Sequence, residues 1–294
     1  MFFSRKFDKK FYLANNHDVA KAGLDPYKHY IEYGKLEGRL PTRKAKLPVI
    51  DTNKICEIHN FTSINSIPII IPTFNNPTYL SRFIEQLQKF PKLEILIYDN
   101  NSTYPPMLQL LNELEEKYSL VRNSENRGPE FVYQDQNLLK LLPSQFLLSD
   151  PDLDLNPELP INFFETFFAL TEYYKIGKAG SALSIPDNFK TNFKLVQKDV
   201  TTTAIEYENQ FWQNLSGFIK KDDSKIYGAA LGATLCLVNL KYLNEDNHWA
   251  KGIRVAGIYE NKHLPWELYF DLPKDETEYY NLLQKFSFYT PKNK

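Results

Sequence analysis

The middle of the chain alternates between short apolar runs and longer stretches whose apolar residues recur at helical spacing. A β-branched run at 67–72 predicts a buried strand, and the apolar positions of 77–90 share one helical face. The alternation continues with strands predicted at 93–99, 119–123 and 145–150 and helices at 106–118 and about 130–142. Such alternation is typical of a parallel sheet covered by helices. The pattern predicts an α/β fold with a Rossmann-like central sheet flanked by helices.

The second half of the chain has a more mixed pattern. It predicts strands near 179–185, 225–230, 234–239 and 253–258, between helices at 162–174 and 275–286. Phe211, Trp212, Leu215 and Phe218 are also helically spaced, which favours a place in the core. We therefore expect one domain over 49–294, with a ligand-binding half at about 67–155 and a second half at 156–294.

The first 48 residues differ from the rest in charge. They contain eleven Lys or Arg and five Asp or Glu, a net of +6, which leaves −7 for the remainder of a chain with net charge −1. Short helices are predicted at 7–23 and 27–33, followed by an extended linker at 40–50. We predict a basic helical extension that holds the protein at an anionic membrane surface. A solvated face that only packs on the main domain is the alternative.

Composition excludes several classes of protein. The balanced charge gives no general attraction for nucleic acid, and the two cysteines lie far apart without metal-site spacing. No apolar run approaches the roughly 20 residues of a membrane span, and charge follows the N-terminus too early for a signal peptide. We expect a cytoplasmic protein, peripheral at most on the inner face of the plasma membrane.

Three carboxylates at alternate positions follow the predicted strand at 145–150. The first two, Asp150 and Asp152, can bind one hard cation, which in turn can hold a diphosphate. Asp-Pro is also a common turn signal, so turn-forming aspartates are the alternative. Their position at the end of a strand in a βα series favours the binding interpretation.

Polar residues also follow the first two strands of this series. Thr73, Phe74 and Asn75 end the first, and Asp99 and Asn101 end the second. Ligands of open α/β sheets bind beyond the carboxyl ends of strands, so these residues should meet the aspartates in one crevice. Helix N-capping is the alternative, before Pro77 for Asn75 and before Pro105 for Asp99 and Ser102.

These segments resemble those of family 2 glycosyltransferases of the GT-A fold. The resemblance rests on Pro72-Thr-Phe-Asn75, Tyr98-Asp-Asn-Asn-Ser102, Asn126-Arg-Gly128 and Ser149-Asp-Pro-Asp152, and it covers about 67–155 clearly. It implies transfer of a monosaccharide from a nucleotide-diphosphate sugar, a UDP-sugar in our reading, to a glycan or lipid-linked acceptor. The basic extension looks like a helical module that precedes many bacterial surface-polysaccharide glycosyltransferases, which implies a role in lipopolysaccharide or capsule synthesis.

The resemblance also implies roles for individual residues in donor binding. Pro72, Thr73 and Phe74 would contact the nucleoside with Asn75 and Asn101 beside them, Asp99 the base or ribose, and Arg127 the pyrophosphate or base region. Asp150 would contact the ribose and the metal, and Asp152 the metal, Mn²⁺ or Mg²⁺. A late His completes the metal shell in several GT-A enzymes, so His263 is the third predicted ligand.

The acceptor side is less clearly marked. An inverting reaction needs a carboxylate to take the acceptor proton, and the candidates are Glu245, Asp246 and Glu267. The first two superficially match the family's xED motif but look like a turn. Sugar rings stack on aromatic side chains, which favours Trp266, with Tyr227 and Gly232, as acceptor-binding residues.

Two rival functions stay open at this point. A sugar nucleotidyltransferase generally needs a Gly-rich basic loop after the first strand, and 72–77 contains neither Gly nor Lys. The other rival is a carbohydrate-binding or scaffold protein that has lost catalysis.

Overall fold

The structure of the protein, a computed structural model, describes residues 7–186, 194–197, 200–232, 234–243 and 251–283. Its strands are β1 Val49–Ile50, β2 Ile67–Thr73, β3 Leu93–Asp99, β4 Ser119–Arg122, β5 Gln145–Leu148, β6 Leu153–Asp154, β7 Lys178–Ser181, β8 Lys194–Gln197, β9 Val200–Thr203, β10 Leu215–Ile219, β11 Lys225–Gly228, β12 Cys236–Asn239, β13 Ile253–Val255 and β14 Lys262–His263. Its helices are α1 Lys9–Asn15, α2 His17–Lys21, α3 Pro26–His29, α4 Thr52–Ile58, α5 Pro77–Leu87, α6 Pro105–Glu115, α7 Gln136–Leu141, α8 Phe163–Tyr174, α9 Ala204–Asn209 and α10 Lys274–Leu283.

Ten of these strands form one mixed sheet in the order β1-β10-β11-β13-β7-β12-β5-β2-β3-β4. The strands β5, β2, β3 and β4 are parallel neighbours, so the predicted βα series is confirmed. Antiparallel β12 joins β5 to β7, and β7 is parallel to β13. The predicted α/β fold with a mixed central sheet is therefore the observed one.

The core lies where the apolar helix faces pack on the sheet. Leu80 and Phe83 of α5 and the phenylalanines of α8, including Phe163 and Phe167, are fully buried in one cluster with strand residues such as Ile69. Within the described ranges, no helix has the length and apolar character that a membrane span requires.

The predicted helix at 130–142 is wrong in its first half. A 3-10 turn, Pro129–Tyr133, precedes α7. Asp135 causes the break, because its Oδ1 accepts from the backbone N–H groups of Asn137 and Leu138 while its Oδ2 accepts from the Tyr98 hydroxyl at 2.8 Å. A side chain that bonds the N-terminal amides of a helix starts a new helix at that point.

The aromatic residues at 211–218 do not lie in an α-helix, although their spacing is helical. Phe211 and Trp212 lie in a 3-10 turn, Gln210–Trp212, and the following residues form β10. Phe218 pairs with Lys225 of β11 and with Val49 of β1. The backbone amide and carbonyl groups of β10 find hydrogen-bond partners on β1 and β11, so this segment does not need the internal hydrogen bonds of a helix.

The N-terminal extension packs closely against β10 and β11. Ser216 Oγ donates to the carbonyl oxygen of Leu36, and Gly38 adopts a φ of +68° beside the carbonyl of Leu215. A Cβ added at Gly228 would lie 1.6 Å from the carbonyl oxygen of Leu36. Backbone approaches backbone here, which a glycine permits and a larger residue prevents.

We expect Gly228→Ala to lower the free energy of unfolding by about 1–3 kcal/mol, because the added methyl group forces the extension away from β11. Denaturant unfolding of the full chain measures this loss. Ser216→Ala removes the hydroxyl that donates to Leu36 and accepts from the Gly228 N–H at the same interface, without adding bulk, and it should cost about 1 kcal/mol. An unchanged midpoint for Gly228→Ala would show that the extension does not dock as described.

Candidate active site

The carboxyl ends of β5, β2 and β3 meet at one edge of the sheet. The register pairs Thr73 at the end of β2 with Asp99 at the end of β3, and Ile70 of β2 with Leu148 of β5. The segments that follow these strands therefore begin side by side, as the parallel order predicts. We call this edge, with the loops that leave it, the donor edge.

The loop after β2 is held to the loop after β3 by Asn75. This residue is fully buried, has a φ of +50°, and its Oδ1 accepts from the backbone N–H groups of Thr103 and Tyr104 at 2.8 and 2.9 Å. Its own N–H donates to Ser102 Oγ at 2.9 Å. Asn75 thus satisfies amides at the entry to α6, not to α5 as the capping alternative supposed. Its oxygen is engaged in shaping the loop.

Asp99 lies at the base of the donor edge and is 2% exposed. Its carboxylate accepts from the Ser102 hydroxyl at 2.5 Å and the Ser102 N–H at 3.1 Å. Burial raises its pKa against the lowering effect of these bonds. Asn101 is exposed and left-handed with a φ of +62°, so it makes the turn that brings Ser102 back to Asp99. The first residue of α6 is Pro105, and the N-cap is Tyr104, so Asp99 is not its cap.

Three other predicted donor residues lie at the end of β2 beside this loop. Thr73 is buried and its hydroxyl donates to Asn76 Oδ1 at 2.6 Å, and Phe74 packs 6.3 Å from the ring of Tyr280 in α10. Pro72 is buried within β2. α10 is fixed beside this loop because Glu276 accepts from the Thr78 hydroxyl at 2.6 Å. The C-terminal helix therefore forms one wall next to the predicted nucleoside residues.

Arg127 follows β4 at the same side of the sheet. Its guanidinium lies 4.4 Å from the centroid of the Phe131 ring and pairs with Glu125. The side chain is 47% exposed. A surface ion pair of this kind contributes little to stability, so the guanidinium can exchange Glu125 for a ligand anion at low cost.

A two-stranded pairing places His263 beside the aspartates. β6 and β14 are antiparallel with His263 opposite Leu153, and the Leu264 N–H donates to the Asp152 carbonyl at 2.9 Å. His263 Nε2 consequently lies 3.1 Å from Asp152 Oδ2. Two of the three predicted metal ligands thus contact each other. Asp154 is engaged elsewhere, with Arg82 and the Tyr269 hydroxyl.

The carboxylates of Asp150 and Asp152 could supply some of the ligands of a divalent cation. Asp152 Oδ1 is buried without a hydrogen-bond partner, and burial together with the Asp152 carboxylate raises the pKa of Asp150 well above its usual range. A cation beside them would satisfy the oxygen and offset the repulsion. Among the described residues, however, no cluster of three or more His, Cys, Asp or Glu is arranged to hold a metal. The protein would supply few ligands and leave the rest to phosphate oxygens and water, as Mg²⁺ sites do.

Glu267 and Trp266 follow His263 directly. Glu267 is 6% exposed, and burial raises its pKa, with Asp154 adding to the rise and Lys262 opposing it. The Trp266 indole is 1% exposed and lies 4.5 Å from the His263 ring. It forms part of the wall of the site and not an open platform. The raised pKa makes Glu267 a stronger proton acceptor than an exposed glutamate.

The remaining acceptor candidates are less central. Tyr227 of β11 is buried and contacts the Trp212 ring at 5.2 Å, and the Gly232 carbonyl accepts from Cys236 Sγ at 3.6 Å. Glu245 and Asp246 lie outside the described residues, so both remain predictions.

A buried ion pair that the sequence analysis did not select lies behind His263. Glu208 of α9 and Arg254 of β13 are 1% and 4% exposed and paired through Oε1 and Nη1. Arg254 also stacks 3.9 Å from the centroid of the Phe211 ring. Burial raises the pKa of Glu208 to about 7, although Arg254 and His263 both oppose the rise. α9 itself begins with a capping box, Thr203 to Glu206, which a sequence search can recognise.

The raised pKa of Glu208 predicts a pH-dependent stability. The folded protein binds this proton more tightly than the unfolded chain, so the contribution is fully present below pH 4.5 and is lost as the pH rises through about 7. Relative to Glu208→Gln, the free energy of unfolding of the wild type should fall by about 3 kcal/mol over that window. Urea unfolding of both proteins at several pH values measures the difference. A constant difference would contradict the burial described.

The donor edge lies within the part of the chain that matches a known family. Residues 69–130 match the model of glycosyl transferase family 2. This segment of the chain is family 2-like glycosyltransferase sequence. The matched segment includes the predicted residues Pro72 to Arg127, while the aspartates after β5 and His263 lie beyond it.

Similarity to a curated relative and to a solved structure accompanies this match. The relative is a dolichyl N-acetyl-α-D-glucosaminyl phosphate 3-β-D-2,3-diacetamido-2,3-dideoxy-β-D-glucuronosyltransferase of Methanococcus voltae, 27% identical over 56% of this chain and 52% of that protein. The chain thus spans about half the length of this relative. The structure is GalNAc-T7 with UDP, GalNAc and Mn²⁺, at a TM-score of 0.45 and 11% identity, covering 85% of this chain and 52% of that one.

Proposed function

We propose that the protein transfers a monosaccharide from a nucleotide-diphosphate sugar, a UDP-sugar in the first instance, to a glycan or lipid-linked acceptor. The observation that carries this proposal is that Asp99 at the end of β3 and Asp152 after β5 follow parallel strands in and beside a family 2 segment, and that His263 pairs with Asp152. The relative from Methanococcus voltae is named for an acceptor in which a sugar is linked to dolichyl phosphate, which supports a lipid-linked acceptor here. The process we propose is the synthesis of a surface polysaccharide such as lipopolysaccharide or capsule, in the cytoplasm.

The donor edge supplies the groups that such a donor requires. We propose that the Asp99 carboxylate accepts hydrogen bonds from the base or ribose, with Pro72, Thr73 and Phe74 against the nucleoside and Asn75 and Asn101 shaping the loops. Arg127 would bind the pyrophosphate once it releases Glu125. Its planar guanidinium matches phosphate oxygens in pairs, which orients the donor as well as binding it.

Asp150, Asp152 and His263 would hold Mn²⁺ or Mg²⁺ against the diphosphate. The bound ion would offset the negative charge that develops on the departing nucleotide. Imidazole suits Mn²⁺ better than Ca²⁺, which prefers oxygen ligands throughout. The unpaired oxygen of Asp152 and the contact between Asp152 and His263 support this assignment.

On the acceptor side we propose Glu267 as the base, with inversion at the anomeric carbon. Attack by an acceptor hydroxyl makes its oxygen positive, and a nearby carboxylate takes the proton. Glu267 follows the metal-side His263 by four residues and lies with Trp266 in the same wall. Glu245 and Asp246 stay alternative bases.

Incubation of the purified protein with UDP-sugars and Mn²⁺ tests the proposed activity. An enzyme of this kind should release UDP slowly through hydrolysis even without an acceptor, and faster with a lipid-linked oligosaccharide. Glu267→Gln should reduce the acceptor-dependent rate by about 100-fold or more while the Kd for UDP stays unchanged. Binding of UDP with no release of sugar under any condition would favour a binding or scaffold protein instead.

A further inference from the structure

A second recess lies where the N-terminal extension meets the main domain. It has a volume of about 240 Å³ and is lined from the extension by Glu32 and Lys35, and from the domain by Lys175 and Lys251. Tyr174 and Tyr242 form part of its wall. We call it the extension cavity.

The extension cavity is at the opposite edge of the sheet from the donor edge. β7 is parallel to β13, and antiparallel β12 lies between β7 and β5, so β7 and β5 point in the same direction. Lys175 precedes β7 and Lys251 precedes β13, whereas the donor residues follow their strands. A ligand in this cavity would therefore be separate from the nucleotide-sugar.

The charges around the cavity favour an anion. Three lysines line it against one glutamate, and Glu32 is already paired with Lys28 at 3.9 Å. Lys251 and Lys35 lie 4.0 and 6.0 Å from the ring centroids of Tyr33 and Tyr30. Within the part of the chain that the structure describes, neither lysine is paired with a carboxylate. Their ammonium groups can accordingly bind a ligand without breaking an ion pair.

Lys175 differs from the other two lysines in its contacts. It pairs with Glu172 at 3.1 Å and with the Tyr242 hydroxyl at 3.1 Å. Glu172 is shared with Lys241 at 3.3 Å, so one carboxylate serves two lysines. The single negative charge of Glu172 therefore does not neutralise the two positive charges of Lys175 and Lys241.

The size and surroundings of the cavity suit a phosphate group that is attached to a lipid. At about 30 Å³ per water, it holds roughly eight water molecules, which is enough for a phosphate group and part of what it is attached to. On the extension, Leu24, Tyr27 and Ile31 are 51%, 46% and 45% exposed, and Ile31 also lines the cavity. Exposed apolar residues beside basic ones are typical of surfaces that meet anionic lipid.

We propose that the extension cavity binds a phosphate group through Lys35, Lys175 and Lys251, either of an anionic lipid or of a soluble phosphate. The exposed apolar residues favour the lipid. The inference is independent of the proposed transferase activity, because it concerns a different edge of the sheet and is measured by binding.

Co-sedimentation of the full chain with vesicles tests the lipid source, using phosphatidylcholine with and without phosphatidylglycerol. Calorimetry with inorganic phosphate and glycerol 1-phosphate tests the soluble source. The variant is Lys35→Gln with Lys251→Gln. The matched control is Lys9→Gln with Lys44→Gln, which removes the same charge from exposed positions of the extension.

We expect the cavity variant to weaken binding of a phosphate-bearing probe about tenfold or more, and the control by about threefold at most. Binding to phosphatidylglycerol vesicles would show that the phosphate group belongs to a lipid. Binding to the soluble compounds alone would show that it belongs to a soluble phosphate. Equal weakening in both variants would overturn the proposal in favour of diffuse attraction, as would a wild type that binds none of the probes. Circular dichroism and unfolding of each variant establish that it is folded.

Discussion

Asp152→Asn is expected to reduce sugar transfer by about 100- to 1,000-fold while the protein keeps its fold. The substitution removes the carboxylate charge from the pair with His263, and with it most of the affinity for the proposed cation. Stabilisation of developing charge by a metal contributes several kcal/mol, and each 1.36 kcal/mol is tenfold in rate. The measurement is the initial rate of UDP release with saturating Mn²⁺.

Asp154→Asn is the matched control for this experiment. It removes the same charge two residues away, but Asp154 is bonded to Arg82 and Tyr269 and not to His263. We expect the rate of UDP release by Asp154→Asn to stay within about fivefold of the wild-type rate. The ion pair that Asp154 forms with Arg82 is partly exposed and contributes little. Full metal-dependent activity in Asp152→Asn would contradict a metal site at Asp152.

The second large effect concerns stability. Arg254→Met should lower the free energy of unfolding by about 3–5 kcal/mol, because it leaves the carboxylate of Glu208 buried without its partner. The double variant Arg254→Met with Glu208→Gln removes the uncompensated charge and should recover much of the loss. Denaturant unfolding at pH 8, where Glu208 is ionised, gives both values and their coupling.

Arg39→Met provides the comparison with an exposed pair. Arg39 bonds to Asp18 through two nitrogens at 2.8 Å, but the Asp18 side chain is 62% exposed. Exposed ion pairs typically contribute 1 kcal/mol or less, so a loss of about 1 kcal/mol is expected. If Arg254→Met costs no more than Arg39→Met, the Glu208–Arg254 pair is not desolvated as described.

Local patterns were sufficient to predict the parallel part of the fold. The apolar runs that became β2 and β5 are nearly continuous because parallel strands are covered on both faces, and the helices in this part of the chain carry one apolar stripe. Parallel order then brings Thr73 and Asp99 into register, so the donor edge followed from strand order alone. The individual roles assigned there remain predictions.

Contacts between distant segments could not be predicted in the same way. The β6–β14 pairing joins Leu153 to His263, and two-residue strands have no periodicity to detect. Arg254 pairs with Glu208, which is 46 residues away, on elements whose order in the sheet the sequence does not indicate. The helical spacing of the aromatic residues at 211–218 does not distinguish a helix from the turn and strand that form there, because only the pairing of β10 with β11 decides between them.

The donor edge is tested most directly by thermal unfolding with UDP, GDP and CDP, each with and without Mn²⁺. We predict that one nucleotide stabilises the wild type only with the metal, by about 2.7 kcal/mol at 100 times its Kd. Asp99→Asn and Asp152→Asn should each reduce that stabilisation. No stabilisation by any of the three nucleotides, with or without Mn²⁺, would contradict a nucleotide-sugar site at this edge of the sheet.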